Sequence, residues 1–286
     1  MKAETKLRVA ACAAGFALPR YKVGLATAVL ALIILLGGVR RIAGASTVLV
    51  PVMALLYIGG GLAVILGNGD RLPEAMALMV RCAFAPEAAL GGALGTVTRR
   101  SAIRWGVARG VFSNEAGLGS AAVTAACADT EDPVKQGLIS MTGVFFDTMV
   151  ICTVTGLAIC CSGTLGTADG AGRPLTGAAL TLRAFETVLG PLAPWLIGVA
   201  LGLFAFTSVL GCAVQAETTA SYLLGPEAVR PCRVLYGLAV FVGAVIPMAT
   251  VLQLADLANA LMAFPNLVCL LLLSGEIAGE CGRKER

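Results

Sequence analysis

Five long stretches without a charged residue constrain the fold of this chain more than any other feature. They cover residues 42–69, 148–168, 187–216, 234–255 and 257–275. About 20 consecutive apolar residues in a helix cross the hydrocarbon core of a bilayer, so each stretch is long enough to span it. A shorter uncharged run at 23–39 also fits if it tilts or if its basic flanks reach the interface. The pattern predicts an all-α, polytopic helix bundle in the lipid bilayer.

The composition supports a membrane protein and argues against several other classes. Of 286 residues, 58% are hydrophobic and 13% are charged, whereas about a quarter of the residues in a soluble domain are charged. The net charge of +4 gives no indication of nucleic-acid binding. There is no histidine, and the ten cysteines contain no Cys-x-x-Cys pair, so the usual metal-site patterns are missing. Without a paired nucleophile and base, the sequence indicates neither an enzyme nor a cofactor.

We predict seven spans, one of them interrupted. Their expected bounds are about 23–39, 45–67, 101–128 (interrupted), 136–161, 192–223, 233–250 and 252–274. Together they form a single transmembrane bundle over residues 23–275, between an N-terminal segment at 1–22 and a cytoplasmic tail at 276–286. Two further helices are expected in the connecting loops, at Pro73–Phe84 and Leu175–Leu189.

The span at 101–128 is interrupted by the polar and glycine-rich sequence SNEAGLG. Hydrocarbon penalises both a carboxylate and a backbone opened by glycine, so both belong where protein or a water-filled cavity receives them. Broken helices of this kind line the substrate sites of many secondary transporters. Glu115 also has a structural interpretation, as the partner of Arg109 or Arg104. The ligand-facing candidates are Ser113, Asn114, Glu115, Gly117 and Gly119.

Other acidic residues in or near the spans have two interpretations. Asp147 lies within the fourth span, where an acid is a functional candidate, or else it is shallow and bonded to a neighbouring helix. Glu217 and Asp256 lie close to predicted span ends and are expected at the interface.

Two adjacent hydroxyl residues, Thr207 and Ser208, lie in the fifth span. Hydroxyl and carbonyl oxygens are the ligands that a hard cation such as Na⁺ prefers. Serine and threonine inside a helix also bond back to the carbonyl four residues earlier. From the residues alone, this second interpretation is favoured.

Several motifs together resemble the alanine or glycine:cation symporter family. They are FSNEAGLGSA at 112–121, DPVKQGLISMTGVFFDT at 132–148, GGVRRIAGASTVLVPVMALLYI at 37–58, LFAFTSVLG at 203–211 and LANALMAFPNLVCLLLLSG at 257–275. The resemblance extends from about residue 16 to residue 275. It implies a multi-pass plasma-membrane protein similar to LeuT-type transporters, which have two inverted five-helix repeats. It also implies symport of alanine or glycine by alternating access, with Na⁺ or sometimes H⁺ as the coupling ion and no bound cofactor.

The resemblance assigns roles to individual residues. It matches the interrupted span to core helix six, with Ser113–Gly119 as the unwound centre that lines the amino-acid site. It matches the Phe204 carbonyl, Thr207 and Ser208 to the helix-eight half of a Na⁺ site. The segment Cys212–Glu217 departs from the bulky aromatics and Gly-Glu usual at this point, which puts side-chain selectivity in doubt. Cys212 is its substrate-binding candidate.

The resemblance covers only the C-terminal part of a symporter. Family members normally carry further helices at the N-terminus, including core helix one, which supplies the other half of both sites. The implied form is therefore a truncated symporter, with part of the LeuT-type fold. The alternative is a non-transporting membrane remnant or helper bundle that needs a separate N-terminal polypeptide as its partner.

Overall fold

The computed structural model describes residues 20–84, 99–115, 117–130, 132–168 and 174–284. Within these residues the fold is helical and has no β-strand; a single isolated bridge joins Ala168 and Pro174. A π-helical turn at Phe146–Cys152 connects two helices, and 3₁₀ turns lie at Gly69–Arg71 and Pro226–Ala228. The α-helices are α1 (Arg20–Leu35), α2 (Gly38–Gly67), α3 (Leu72–Phe84), α4 (Arg99–Asn114), α5 (Ser120–Ala125), α6 (Pro133–Phe145), α7 (Thr153–Ser162), α8 (Ala178–Leu189), α9 (Leu192–Leu224), α10 (Val229–Val245) and α11 (Met248–Lys284).

Five helical segments are long and apolar enough to cross a membrane. They are residues 38–67, 133–162, 192–224, 226–245 and 250–279, and a shorter apolar helix covers 24–35. This confirms a polytopic helical membrane protein. The structure does not establish the count of seven, since α1 is short and α4 carries four arginines in 16 residues. The first and the interrupted span therefore stay predictions.

The boundary between the last two helices differs from the predicted one by several residues. We expected helices over 233–250 and 252–274, but α10 ends at Val245 and α11 begins at Met248. Ile246 is extended, with φ −64° and ψ 147°, because a residue before proline is pushed out of the helical region. Pro247 therefore fixes the break. α11 then continues to Lys284 and includes most of the residues assigned to the tail.

The helix α9 forms the centre of the described fold. One buried cluster joins it to α2, α7 and α8 around Tyr57, Phe185 and Ile197. A second cluster joins it to α1 and α2 around Leu35 and Leu210. Half of the most apolar window of α9 is buried, whereas the corresponding window of α11 has no buried residue. α9 is therefore held on several sides, while α11 lies at the periphery of the described residues.

A buried ion pair fastens α10 to this central helix. Arg233 Nε and Nη2 donate to the two carboxylate oxygens of Glu217, each at 2.9 Å. Glu217 is 5% exposed, and it lies seven residues before the end of α9. A planar guanidinium satisfies both oxygens of one carboxylate, which explains how a charge can lie inside the bundle at this point.

Candidate functional site

The polypeptide leaves helical geometry between α4 and α5, within the sequence SNEAGLG. Glu115, Gly117 and Gly119 have φ values of 51°, 74° and 83°. Left-handed backbone costs a residue with a Cβ about 1–2 kcal/mol, and glycine adopts it freely. Within the described residues, Glu115 is the only non-glycine residue with positive φ. The break therefore places one strained carboxylate residue between α4 and α5.

Neutral donors hold the Glu115 carboxylate. Ser120 Oγ donates to Glu115 Oε2 at 2.6 Å, and Gln215 Nε2 of α9 donates to the same oxygen at 3.0 Å. Gln215 Nε2 also lies 3.2 Å from Thr124 Oγ1 and 3.4 Å from the Ser120 carbonyl oxygen. Arg109, one of the two cations that we considered for Glu115, pairs instead with Asp256 at 3.2 Å.

Two further hydrogen bonds join the break to the π-helical turn. Ser113 Oγ donates to Asp147 Oδ2 at 3.0 Å, and Thr148 Oγ1 donates to Asn114 Oδ1 at 2.7 Å. Asp147 is thus bonded to a neighbouring helix, as one of its two interpretations predicts, and that helix carries the site candidates. Single π-helical turns inside α-helices are frequent at functional sites.

Both carboxylates lack a cationic partner in the described part of the chain. The ion pairs found there involve Arg109, Arg183 and Arg233, and none of them reaches Glu115 or Asp147. An acid in an apolar environment is costly unless it is paired or hydrogen-bonded. The arrangement therefore has negative charge that a bound cation, such as an ammonium group, would offset.

The opposite side of the break faces α11. A Cβ at Gly119 would lie 2.8 Å from Asn266 Oδ1, and one at Gly117 would lie 3.5 Å from Leu267 Cδ2. Gly119 is therefore required by its φ and by space, whereas Gly117 is required by its φ alone. α4 and α11 are also joined by the Arg109–Asp256 pair.

Cys212 lies on α9, one turn before Gln215 and so on the same side of that helix. It is exposed, and Gln215 on the same side of the helix contacts Glu115. Cys212 therefore lies on the side of α9 that carries the contact with the break.

The cation candidates lie on α9, about two turns before Gln215. The Phe204 carbonyl oxygen accepts from Ser208 Oγ at 2.7 Å and from Thr207 Oγ1 at 3.2 Å, and Thr207 also bonds the Leu203 carbonyl at 2.9 Å. This is the back-bonded arrangement that the residues alone favoured. It gathers two hydroxyl oxygens around one carbonyl. In the described residues no group of three or more acidic or cysteine side chains could hold a metal ion.

Several residues that form hydrogen bonds at the break were not among the sequence candidates. Together with the break, these residues are called the polar cluster. Gln215 was noted only as a departure from the expected aromatics, yet it is the contact between α9 and the break. Ser120, Thr124 and Thr148 were not singled out either. The available signal was a polar side chain within an apolar run or beside a flagged acid.

The fold and the polar cluster define a polytopic membrane protein with a broken helix at its polar site. This is the architecture of a secondary transporter. A family model described as the sodium:alanine symporter family matches residues 2–282. The chain belongs to this family.

Three relatives show the extent of the match. The sodium/alanine symporter AgcS of Methanococcus maripaludis is 39% identical over 273 residues, which are 94% of this chain and 58% of AgcS. The probable sodium/glutamine symporter GlnT of Bacillus subtilis is 40% identical over 242 residues, 84% of this chain and 48% of GlnT. An uncharacterized transporter of Haemophilus influenzae is 46% identical over 240 residues, 84% of this chain and 51% of the relative. The chain spans about half the length of the curated relatives it matches.

Family membership bears on several of the sequence predictions. The family and these relatives are transporters and not enzymes, and Na⁺ is the family's coupling ion. With five helices able to cross a membrane, the chain is a multi-pass protein of the plasma membrane. The comparisons do not support a separate N-terminal polypeptide as a partner, and they do not favour the non-transporting remnant.

Proposed function

We propose that this protein takes part in the symport of a small amino acid, alanine or glycine, with Na⁺ as the coupling ion. The observation that carries the proposal is the break between α4 and α5, where a strained carboxylate residue is held by neutral donors. The spans belong to one bundle over residues 23–275, with the interrupted span at 101–128. Their arrangement is part of a LeuT-type inverted-repeat fold with about seven spans.

The amino acid binds at the break. Its ammonium group is attracted by the Glu115 carboxylate and accepted by the oxygens of Ser113 and Asn114. Its carboxylate is received by backbone N–H groups that the glycines of the break leave outside a regular helix. Gly117 and Gly119 let the backbone approach the ligand, and Cys212 contacts its side chain.

The coupling cation binds on α9. Its ligands are the Phe204 carbonyl, Thr207 Oγ1 and Ser208 Oγ. The grouping of the two hydroxyls around that carbonyl supports this set of ligands. Each hydroxyl donates one hydrogen bond and keeps lone pairs for a cation. Cation and amino acid together stabilise one conformation of the bundle, and their release on the inner side resets it by alternating access.

The test is uptake of labelled alanine into proteoliposomes that contain the purified protein. We expect an inward Na⁺ gradient to raise uptake well above that with K⁺, and excess unlabelled glycine to compete. Glutamine is a second competitor to test, because one relative is named as a probable sodium/glutamine symporter. Uptake driven equally by K⁺, or by a proton gradient without Na⁺, would contradict the choice of coupling ion. Protein-free liposomes give the background.

A further inference from the structure

Gln215 connects both sides of the break to α9. Its Nε2 atom lies 3.0 Å from Glu115 Oε2, 3.2 Å from Thr124 Oγ1 and 3.4 Å from the Ser120 carbonyl oxygen. A carboxylate only accepts hydrogen bonds, so the amide nitrogen of Gln215, and not its oxygen, faces Glu115. One side chain thus contacts Glu115 in the break and two residues of α5 after it.

The conformation of Glu115 depends on such contacts. At φ 51° the residue is in a region that a side chain with a Cβ rarely adopts, and strained backbone persists only where the surroundings hold it. The bond from Ser120 comes from the same segment and moves with it. In the described structure, Gln215 is the hydrogen-bond partner that ties Glu115 to a different helix.

The helix that carries Gln215 also carries the cation candidates. Thr207 and Ser208 lie about two turns earlier on α9, roughly 12 Å along its axis. The residues between them and Gln215 include four that are buried, which makes this part of α9 a packed and rigid element. They are Val209, Leu210, Ala213 and Val214. A rigid helix with two positions transmits a displacement from one end to the other.

We infer that Gln215 is a positioning residue that couples cation binding to amino-acid binding. The inference rests on the proposed function. A cation on α9 fixes the position from which Gln215 holds Glu115 in its left-handed conformation, and this conformation presents the break to the amino acid. The amino acid strengthens cation binding to the same degree, since coupling between two sites is reciprocal.

The test is the affinity for alanine, measured on the purified protein without Na⁺ and with saturating Na⁺. The ratio of the two dissociation constants is the coupling factor. The variant Gln215→Met keeps an unbranched side chain of similar length and removes both N–H donors. We expect its coupling factor to fall by about tenfold, the amount expected for a hydrogen bond to a charged group. The temperature of unfolding without ligands is expected to stay close to that of the unsubstituted protein.

A matched control lies three residues further along α9. Thr218 Oγ1 lies 3.2 Å from Cys127 Sγ, beyond the end of α5, so it joins the same two parts of the chain without touching the break. Thr218→Val should leave the coupling factor unchanged. An unchanged factor in Gln215→Met, or an equal fall in both variants, would overturn the inference.

A second measurement uses the unsubstituted protein and does not depend on the folding of a variant. Hydrogen exchange of residues 113–120 should slow when Na⁺ is added without any amino acid. No protection by Na⁺, in a protein whose alanine binding depends on Na⁺, would overturn the role of Gln215. Alanine binding that is independent of Na⁺ would instead contradict the proposed function itself.

Discussion

One glutamate belongs to α9 and another is bonded to it, and the partners of the two carboxylates differ. Glu217 belongs to α9 and has both oxygens bonded to the guanidinium of Arg233, in a pair that is nearly closed to solvent. Glu115 comes from the break, has a strained backbone, and accepts from the hydroxyl of Ser120 and the amide of Gln215.

The charge of Glu217 is neutralised by a cationic partner within the fold, whereas the charge of Glu115 is not. An opposite charge at 2.9 Å fulfils the electrostatic requirement of Glu217, so this residue has little to offer a ligand. Hydroxyl and amide donors position Glu115 without cancelling its charge. The structural role and the ligand-binding role are therefore carried by two acids of the same type, distinguished by their partners.

The largest expected effect comes from removing the cation of the buried pair. In Arg233→Met the Glu217 carboxylate stays inside the bundle without its partner, which costs about 3–5 kcal/mol of stability. Thermal unfolding of the purified protein in detergent should show a large loss. The control is Arg230→Met, on an exposed position of the same helix. Equal unfolding temperatures for the two variants would show that the pair does not support the fold.

The second prediction is a loss of uptake with little change in stability. Glu115→Gln removes the charge and keeps the shape, and its partners are neutral, so the unfolding temperature should change little. The efficiency of alanine uptake should fall by about ten- to a hundredfold, because a hydrogen bond to a charged group is worth about 1.5–3 kcal/mol. Glu186→Gln, in the exposed pair with Arg183, should leave uptake unchanged. A loss of stability without a loss of uptake would place Glu115 in the same class as Glu217.

Sequence reasoning succeeded where the information is local. Hydropathy over a window of about 20 residues identified the membrane class. The short helices expected in the loops at Pro73–Phe84 and Leu175–Leu189 end where α3 and α8 end. The polar and glycine residues at 113–119 marked the stretch where α4 stops and α5 begins.

The remaining features depend on residues that are far apart in sequence. Glu115 accepts a hydrogen bond from Gln215, 100 positions away in sequence. Glu217 is paired inside the bundle because α10 packs against α9 and brings Arg233 to it. No periodicity in one segment contains that information. The π-helical turn at Phe146–Cys152 contacts the break through Thr148 and Asn114, which are 34 positions apart in sequence.

A third prediction tests the two glycines that give the break its shape. Gly119→Ala meets both a φ of 83° and Asn266 Oδ1 at 2.8 Å, while Gly117→Ala meets a φ of 74° with an ordinary contact. The left-handed conformation alone costs about 1–2 kcal/mol. We therefore expect both variants to lose stability, and Gly119→Ala to lose more. If Gly117→Ala proved the more damaging in thermal unfolding, α11 would not lie against the break as described.

The smallest expected effect concerns a neutral bond that positions the break. Thr148→Val keeps the shape of the side chain and removes the donor to Asn114 Oδ1, 2.7 Å away. A neutral hydrogen bond contributes about 0.5–1.5 kcal/mol, so the affinity for alanine should weaken by about two- to tenfold. The control is Thr142→Val, whose hydroxyl bonds only to carbonyls of its own helix in the described structure. If both variants bound alanine equally well, Asn114 would hold its position without the π-helical turn. The bonds of Ser113 to Asp147 and of Gln215 to Glu115 would then hold the break in its place.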